Sequence, residues 1–253
     1  VMDEAKRIGL CDVNQCISIT KDFDGKTVSH LTILPPNLRF IPEDGKGVRD
    51  SKVMCEAMTI AAKKGLTVMS HAEDMDLSPI DYRLAENLET VRNLYIAGAT
   101  GAKLHMCHVS TKEAMEEILR AKDRGVRVTS EVTPHHIWFY DNGFRVNPPI
   151  REKADVEYLI EAMAAGRVEA IGTDHAPHSP EDKAKGAPGM VGLETAFSVC
   201  YTKLCRQCGL PLETLSRMMS KGPAEILGLN KGLLAEGYDG DVVLVDLETP
   251  YVV

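Results

Sequence analysis

The sequence predicts an α/β protein built as most of a (β/α)8 barrel, in which parallel strands alternate with helices. The first observation is that short β-branched, apolar runs alternate with amphipathic helical stretches along most of the chain. The second is that such stretches are followed by glycines placed as helix stops. The strand runs occupy residues 16–20, 38–42, 66–71, 103–108, 126–132 and 168–174. Six strands are most of an eight-stranded barrel, but not all of it.

The helices between these strands begin and end at recognisable residues. Residues 51–64 carry apolar side chains at helical spacing, and Gly65 follows as a stop. A second helix is predicted over 110–124, because Ser110 and Glu113 have the spacing of a capping box. Further helices are predicted at 81–97, 153–165, 192–208 and 212–227.

The C-terminal stretch KGLLAEGYDGDVVLVDLETPYVV has a different pattern. Glycine-rich turns surround a Val/Leu run, and no helix follows it. We therefore expect a barrel domain over residues 1–229 and the start of a small β domain over residues 230–253.

The composition limits the classes of partner. Acidic residues outnumber basic ones 37 to 29, and the chain has no Lys/Arg cluster, which argues against nucleic acid. Its apolar runs are shorter than the ~20 residues of a membrane helix, and no leader opens it, so we expect a cytoplasmic protein without membrane contact. Seven cysteines, an odd number, indicate free thiols. The CxxC spacing of Cys205 and Cys208 has no second pair to complete a zinc site.

Polar side chains follow four of the predicted strands. Those able to bind a metal are Glu43 with Asp44, His71, His108 and Asp174. Each alone would more often be a helix cap or a satisfied core residue. In a parallel barrel, however, the carboxyl ends of the strands surround the active site, and a mixed His/Asp set suits zinc. Side chains alternate along a strand, so His105 should face away from His108, and we do not assign it as a ligand.

Six motifs occur along most of the chain. They are MSHAED (69–74), HMCHVSTKEA (105–114), EVTPHH (131–136), RVNPPIR (145–151), GTDHAPH (172–178) and GMVGLETAF (189–197). In this order they resemble the motifs of the dihydroorotases, which belong to the amidohydrolase superfamily of metal-dependent (β/α)8 barrels. The resemblance implies that fold and a hydrolase that opens cyclic amides.

The resemblance also implies two zinc ions in each active site. It assigns His71 and His108 to the more buried ion and Asp174 to the other. Asp44 stands where an acidic residue or a carboxylated lysine bridges both ions, and whether Asp44 or a modified lysine does so here stays open because Glu43 adjoins it. By the same resemblance, Asp174 is the catalytic proton shuttle, which takes a proton from the attacking hydroxide and passes it to the leaving amide nitrogen.

The substrate contacts are implied in the same way. Asn147, His178 and the backbone at Pro188 and Gly189 would hold the dihydroorotate ring and its carboxylate. Asn before a proline pair is also a common turn former, and His178 could instead cap a loop. The glycine-rich residues 185–192 predict a mobile loop over the site, with an ordinary exposed turn as the alternative.

The chain departs from the family pattern near its start. Members of the family carry a His-x-His pair after the first barrel strand and then an arginine that binds the substrate carboxylate. This chain has no histidine before His30 and no His-x-His before His71. We expect the first two βα units to be absent and the C-terminal β unit to be cut short, as in an incomplete record of a longer protein. Whether this chain is active alone stays open.

The leading hypothesis is a zinc-dependent dihydroorotase that interconverts (S)-dihydroorotate and N-carbamoyl-L-aspartate in pyrimidine biosynthesis. A homodimer is expected by resemblance only. Another cyclic amidohydrolase, such as a hydantoinase or an allantoinase, is the near alternative; Asn147, His178 and Asp44 favour the first. A non-catalytic partner of aspartate transcarbamoylase is the alternative from another class. Such a scaffold would lack His-x-His, but it could also lose Asp174 and His71, which this chain keeps.

Overall fold

The structure, a computed structural model, describes residues 1–249 and divides the chain into two compact units. The first unit contains residues 1–107 and 116–128, and the second contains residues 108–115 and the chain from 129 onward. Both units combine helices with parallel strands, as the sequence predicts. Among the described residues, none of the helices has the length and apolar character needed to cross a bilayer.

The first unit contains a parallel sheet of three strands. They are β1 (Phe40–Pro42), β2 (Thr67–Ser70) and β3 (Lys103–Met106). Phe40 pairs with Thr67, and Val68 pairs with Leu104. The strands predicted at 38–42, 66–71 and 103–108 are confirmed, and each is shorter than predicted.

Helices of the first unit precede and follow these strands. They include α1 (Met2–Ile8), α2 (Ser51–Lys64) and α3 (Tyr82–Thr100), with short 3-10 turns at Lys21–Phe23 and Ser29–Ile33. The Asp50 carboxylate caps α2 by accepting the Lys52 and Val53 N–H groups, and Gly65 ends the helix with a φ of 71°. α2 packs on β2 and α3 packs on β3, which buries Met58 and Leu94 in the core.

The helix α4 (Lys112–Asp123) follows the predicted capping motif but begins differently from the prediction. The Thr111 hydroxyl accepts the Ala114 N–H at 3.2 Å, as an N-cap does. The Ser110 hydroxyl instead accepts a hydrogen bond from Arg151 Nε at 2.9 Å. The predicted capping serine therefore binds a distant arginine, and the next residue caps the helix.

The second unit contains the parallel pair formed by β4 (Val128–Val132) and β5 (Ala170–Ile171), in which Glu131 pairs with Ala170. Its helices are α5 (Pro134–Trp138), α6 (Lys153–Ala164), α7 (Pro180–Ala184), α8 (Ala196–Cys200), α9 (Leu212–Ser216) and α10 (Gly222–Leu227). The helices predicted at 192–208 and 212–227 are each interrupted, because π-helical turns occupy Tyr201–Gln207 and Arg217–Lys221.

Two predicted β segments are not strands in the described residues. Residues 16–20 lie beside β1, where the Ile19 N–H donates to the Pro42 carbonyl at 2.8 Å, but the chain then turns into a 3-10 helix. The predicted strand at 16–20 is therefore wrong. Residues 230–249 form no helix or strand, and Val243 and Leu244 are exposed. The β domain expected over 230–253 stays a prediction, and its residues 250–253 lie outside the described chain.

Candidate active site

The predicted site residues are distributed over both units. Asp44 and His71 lie in the first unit, and the second unit holds His108, Asn147, Asp174, His178, Pro188 and Gly189.

His71 directly follows β2 and is held by a buried acid. Its Nε2 lies 2.9 Å from Glu73 Oε2, and since a carboxylate only accepts, Nε2 carries the proton. The second oxygen, Glu73 Oε1, accepts the Ser78 hydroxyl at 2.5 Å. A histidine that binds a metal usually donates its outer N–H to a carboxylate in this way, which fixes the tautomer and the ring orientation. The local structure of His71 therefore fits a metal ligand.

The two acids that follow β1 have different environments. Glu43 is buried, and its carboxylate accepts the Thr20 N–H at 2.9 Å as well as the Thr20 hydroxyl. Asp44 is exposed. Burial, and secondly the negative charge of Asp44, raise the pKa of the nearby Cys16 thiol. Glu43 is thus used in internal hydrogen bonds, whereas Asp44 is accessible.

A buried hydrogen-bond network in the first unit is centred on α3. Glu89 Oε1 accepts from Arg92 at 2.7 Å, and Asn93 donates to the Ser70 hydroxyl at the end of β2 at 2.9 Å. The Glu89 carboxylate also packs so close to Gly47 that a Cβ there would overlap it. Burial raises the pKa of Glu89 to about 7. The sequence reasoning missed this network, because an acid on a helix does not reveal what it contacts.

His108 and Asp174 share an unusual backbone conformation. His108 lies two residues after the end of β3 and Asp174 three residues after the end of β5, and their φ values are 36° and 46°. Residues with a Cβ seldom adopt this left-handed region, and such strain is concentrated at functional sites. His108 is buried and Asp174 is partly exposed. Two residues predicted as metal ligands thus occupy positions where the backbone is strained.

Glu131 on β4 connects these two strand ends within the second unit. Its Oε1 accepts the His108 N–H at 3.3 Å. Its carboxylate also lies so close to Gly172 that a Cβ at that position would overlap it. Glu131 lies in the EVTPHH motif, but no role was predicted for it. The available signal was an acid within a half-buried strand that is followed by polar residues.

The loop after Asp174 folds back on itself. His175 Nδ1 accepts the Gly192 N–H at 3.0 Å, and the Ala176 N–H donates to the Met190 carbonyl at 3.0 Å. Gly189 is buried with a φ of 132°, and a Cβ there would lie 3.1 Å from His178 Cδ2. The structure therefore places His178 and Gly189 next to each other. His178 and Pro188 are exposed.

Asn147 lies beside the same loop. It is half-buried and precedes a cis peptide bond to Pro148. Two residues before it, the Arg145 carbonyl accepts the Gly189 N–H at 3.0 Å. The segment that carries Asn147 is therefore hydrogen-bonded to the segment that carries Gly189.

Two neutral histidines lie under this part of the second unit. His136 Nε2 donates to the Pro148 carbonyl at 3.0 Å, and its Nδ1 accepts the Thr133 hydroxyl at 2.8 Å. Burial lowers the pKa of His136 well below its usual value and that of His135 to about 4. Both imidazoles are therefore uncharged at neutral pH, and His136 supports the Asn147–Pro148 segment through its hydrogen bond to the Pro148 carbonyl.

Comparisons with known proteins agree with the motifs. The sequence profile of the amidohydrolase family matches residues 47–252. A dihydroorotase of Clostridium botulinum (strain Eklund 17B / Type B) is 52% identical over 98% of this chain, which covers 63% of that relative. A dihydroorotase of Lactobacillus leichmannii is 37% identical over 96% of this chain and 65% of the relative. The chain thus spans less than two thirds of the length of these relatives.

Solved structures show the same fold. A D-hydantoinase (dihydropyrimidinase) from Thermus sp. is 24% identical, with a TM-score of 0.73 over 80% of this chain and 53% of that one. A dihydropyrimidinase from Brevibacillus agri is 20% identical, with a TM-score of 0.76 over 86% of this chain and 58% of that one. Together with the family profile, they confirm the expected TIM-barrel fold.

Proposed function

Because the chain belongs to the amidohydrolase family, we propose that it acts as a zinc-dependent dihydroorotase that interconverts (S)-dihydroorotate and N-carbamoyl-L-aspartate. The observation that carries the proposal is the 52% identity to a dihydroorotase over nearly all of this chain. The local structure supports it, since the predicted ligands follow strands and two of them are backbone-strained.

His71, His108, Asp44 and Asp174 would hold the metal. The fit rests on the donor set, which mixes imidazole and carboxylate as zinc prefers, and on the Glu73 carboxylate that orients His71 at 2.9 Å. When bound, zinc supplies Lewis-acid polarisation of the amide carbonyl and a nucleophile at neutral pH.

Asp174 would act as the general base and then the general acid. Its carboxylate takes a proton from the attacking water and gives it to the ring nitrogen as the C–N bond breaks. Asp174 lies three residues after β5, and its left-handed backbone, with a φ of 46°, is consistent with a functional role for this residue.

The substrate would be held by the second unit. Asn147 and His178 offer side-chain donors, and the backbone at Pro188 and Gly189 offers peptide groups. This part of the proposal is supported by the contact between Gly189 and His178 and by the hydrogen bond from Gly189 to Arg145. Homodimerisation and a cytoplasmic location stay predictions.

Replacement of Asp174 by Asn tests the proposed proton transfer. Asn is isosteric and tolerates positive φ, so folding should be preserved, whereas turnover of dihydroorotate should fall by about 10²–10⁴-fold. Asp141→Asn is a matched control, because Asp141 is exposed and also has a positive φ, of 49°. Turnover and thermal unfolding are measured for both. Near-normal turnover of Asp174→Asn would exclude Asp174 as the proton shuttle.

A hydantoinase is the second candidate, because the solved structures of similar fold include hydantoinases. Dihydroorotate, hydantoin and allantoin are assayed in parallel to separate the two activities. A preference for hydantoin or allantoin would overturn the dihydroorotase assignment while keeping the family.

Zinc content tests the metal directly. Zinc per chain and dihydroorotate hydrolysis are measured on this chain and on a version extended to the length of its relatives. Two zinc ions with activity in the extended version would support the proposal. Neither metal nor activity in the extended version would favour a non-catalytic protein.

A further inference from the structure

Lys183 makes an unusual set of contacts for a partly exposed lysine. It lies on α7, and its Nζ donates to the backbone carbonyls of Arg145, Ala187 and Gly189 at 3.0, 2.9 and 2.9 Å. A lysine ammonium has three N–H donors, so all of them are directed at main-chain oxygens. Nζ also lies 4.4 Å from the centroid of the Phe144 ring, within the range of a cation–π interaction.

The three carbonyls belong to two separate segments. Ala187 and Gly189 flank Pro188, at which the backbone would contact substrate. Arg145 lies two residues before Asn147, which would contact substrate with its side chain. One ammonium group therefore joins the two segments that carry proposed substrate contacts. The Gly189 N–H donates to the same Arg145 carbonyl at 3.0 Å, which adds a direct bond between them.

The helix that carries Lys183 is itself fixed. Ser179 is its N-cap, and the serine hydroxyl accepts the Asp182 N–H at 3.1 Å. Lys183 is half-buried, whereas the next lysine in the same loop, Lys185, is exposed. Ordering a lysine side chain has a cost in conformational entropy, which isolated surface contacts seldom offset. Three charge-assisted bonds and a ring contact together can offset it.

We propose that Lys183 is a positioning residue that holds the Ala187–Gly189 backbone against the Arg145–Asn147 segment in the conformation that binds substrate. The proposal rests on the proposed function, because the substrate contacts are taken from it. Lys183 touches three carbonyls and no reacting atom, so its loss should weaken substrate binding more than it slows the chemical step. Without the ammonium, substrate must order the loop itself, and that free energy is subtracted from binding.

The test compares Lys183→Met with Lys185→Met in the version extended to the relatives' length. Methionine keeps most of the apolar stem of lysine and removes the charge. For Lys183→Met we expect KM for dihydroorotate to rise about tenfold or more while kcat stays within about threefold. Amide hydrogen exchange of residues 185–192 should become faster. Lys185→Met should change neither quantity.

Lys183→Arg provides a second variant that keeps the charge. The guanidinium keeps the charge and still donates hydrogen bonds, but its planar fork does not reproduce the arrangement of three donors on one ammonium nitrogen. We therefore expect KM to rise, but less than for methionine. This graded response distinguishes positioning from a general loss of folding, and thermal unfolding is recorded for all variants.

The outcomes separate this inference from the proposed function. Unchanged KM in Lys183→Met, with or without faster exchange, would overturn the positioning role. Absence of dihydroorotate turnover in the unmodified extended protein would count against the proposed function alone. In that case amide hydrogen exchange still tests whether Lys183 holds the loop. Unchanged protection of residues 185–192 in Lys183→Met would overturn the positioning role.

Discussion

His108 and Asp174 are held in the left-handed backbone region at a cost of about 1–3 kcal/mol each. Such strain persists only where the surroundings determine the conformation. For His108, a determinant is the hydrogen bond from its N–H to Glu131, and Glu131 in turn packs on Gly172 two residues before Asp174. One half-buried carboxylate on β4 therefore contacts both the segment that carries His108 and the segment that carries Asp174. This makes Glu131 a structural support for both proposed ligands.

The two neutral histidines on α5 predict an acid-sensitive stability. The pKa of His135 is lowered by burial from 6.5 to about 4. The unfolded chain therefore binds a proton at higher pH than the folded chain does, and the stabilisation is complete above pH 6.5 and declines as the pH falls towards 4. For His135 the loss between pH 7 and pH 5 should be about 2 kcal/mol.

Urea unfolding at pH 7 and pH 5 measures this effect. His135→Gln should lose about 2 kcal/mol less than the unmodified protein between these two pH values, because glutamine does not titrate. His178→Gln is the control, because that imidazole is exposed. Equal pH dependence of His135→Gln and the unmodified protein would show that His135 is protonated in the folded state at pH 5.

At the scale of elements, α10 approaches β5 unusually closely. Gly222 opens α10 directly after the π-helical turn, and a Cβ there would overlap the Glu169 carbonyl oxygen at the start of β5. The Arg217 guanidinium, one turn earlier, donates to the Val168 carbonyl at 3.1 Å. The π-helical turn is therefore joined to the segment before β5 by one hydrogen bond. The start of α10 meets the same segment through a contact that only glycine permits.

Gly222→Ala should accordingly be destabilising. Displacing packed backbone by a methyl group costs about 1–3 kcal/mol. Gly240→Ala is the matched control, since Gly240 has no neighbouring atom within 4 Å of the added Cβ and no positive φ. Denaturant unfolding of both variants gives the comparison. If the two alanine variants are equally stable, α10 does not approach β5 as closely as described.

The sequence predicts elements better than it predicts their contacts. The strands at 66–71, 103–108 and 168–174 were recognised from local patterns, but the predictions extend into residues that leave the sheet, as positive φ shows for His108 and Asp174. The 16–20 run has strand composition, yet pairing is decided by its neighbours. The candidate ligands were found because motifs are local. The contacts of Glu131 with His108, of Glu89 with Gly47 and of Lys183 with Arg145 could not be found in this way, because each joins residues far apart in sequence.

At the scale of the whole molecule, a shared fold and a high sequence identity support different conclusions about function. Hydantoinase structures at 19–25% identity share the fold with TM-scores of 0.70–0.77. A shared barrel does not fix the substrate, which depends on the side chains at the strand ends. The identity of 52% to a dihydroorotase is therefore the stronger support for the proposed reaction.

The reactivity of the seven cysteines can be used to measure unfolding of the whole molecule. All are free thiols; Cys11, Cys55 and Cys208 are exposed, and Cys200 is fully buried. Burial also raises the pKa of Cys200 to about 12. Because the thiolate is the reactive form, a thiol reagent at pH 8 should label the exposed cysteines rapidly and Cys200 only after unfolding. Mass spectrometry of labelled peptides measures each site.

Labelling of Cys200 should become faster with increasing urea, in parallel with loss of helical circular dichroism, because both would follow global opening. Cys200→Ser removes the slow site and leaves the fast ones, which confirms the assignment. Labelling of Cys200 as fast as Cys208 in the native protein would mean that α8 opens locally. In that case the helix that follows the proposed substrate loop would belong to the least stable part of the second unit, and the loop contacts of Lys183 would have to hold without it.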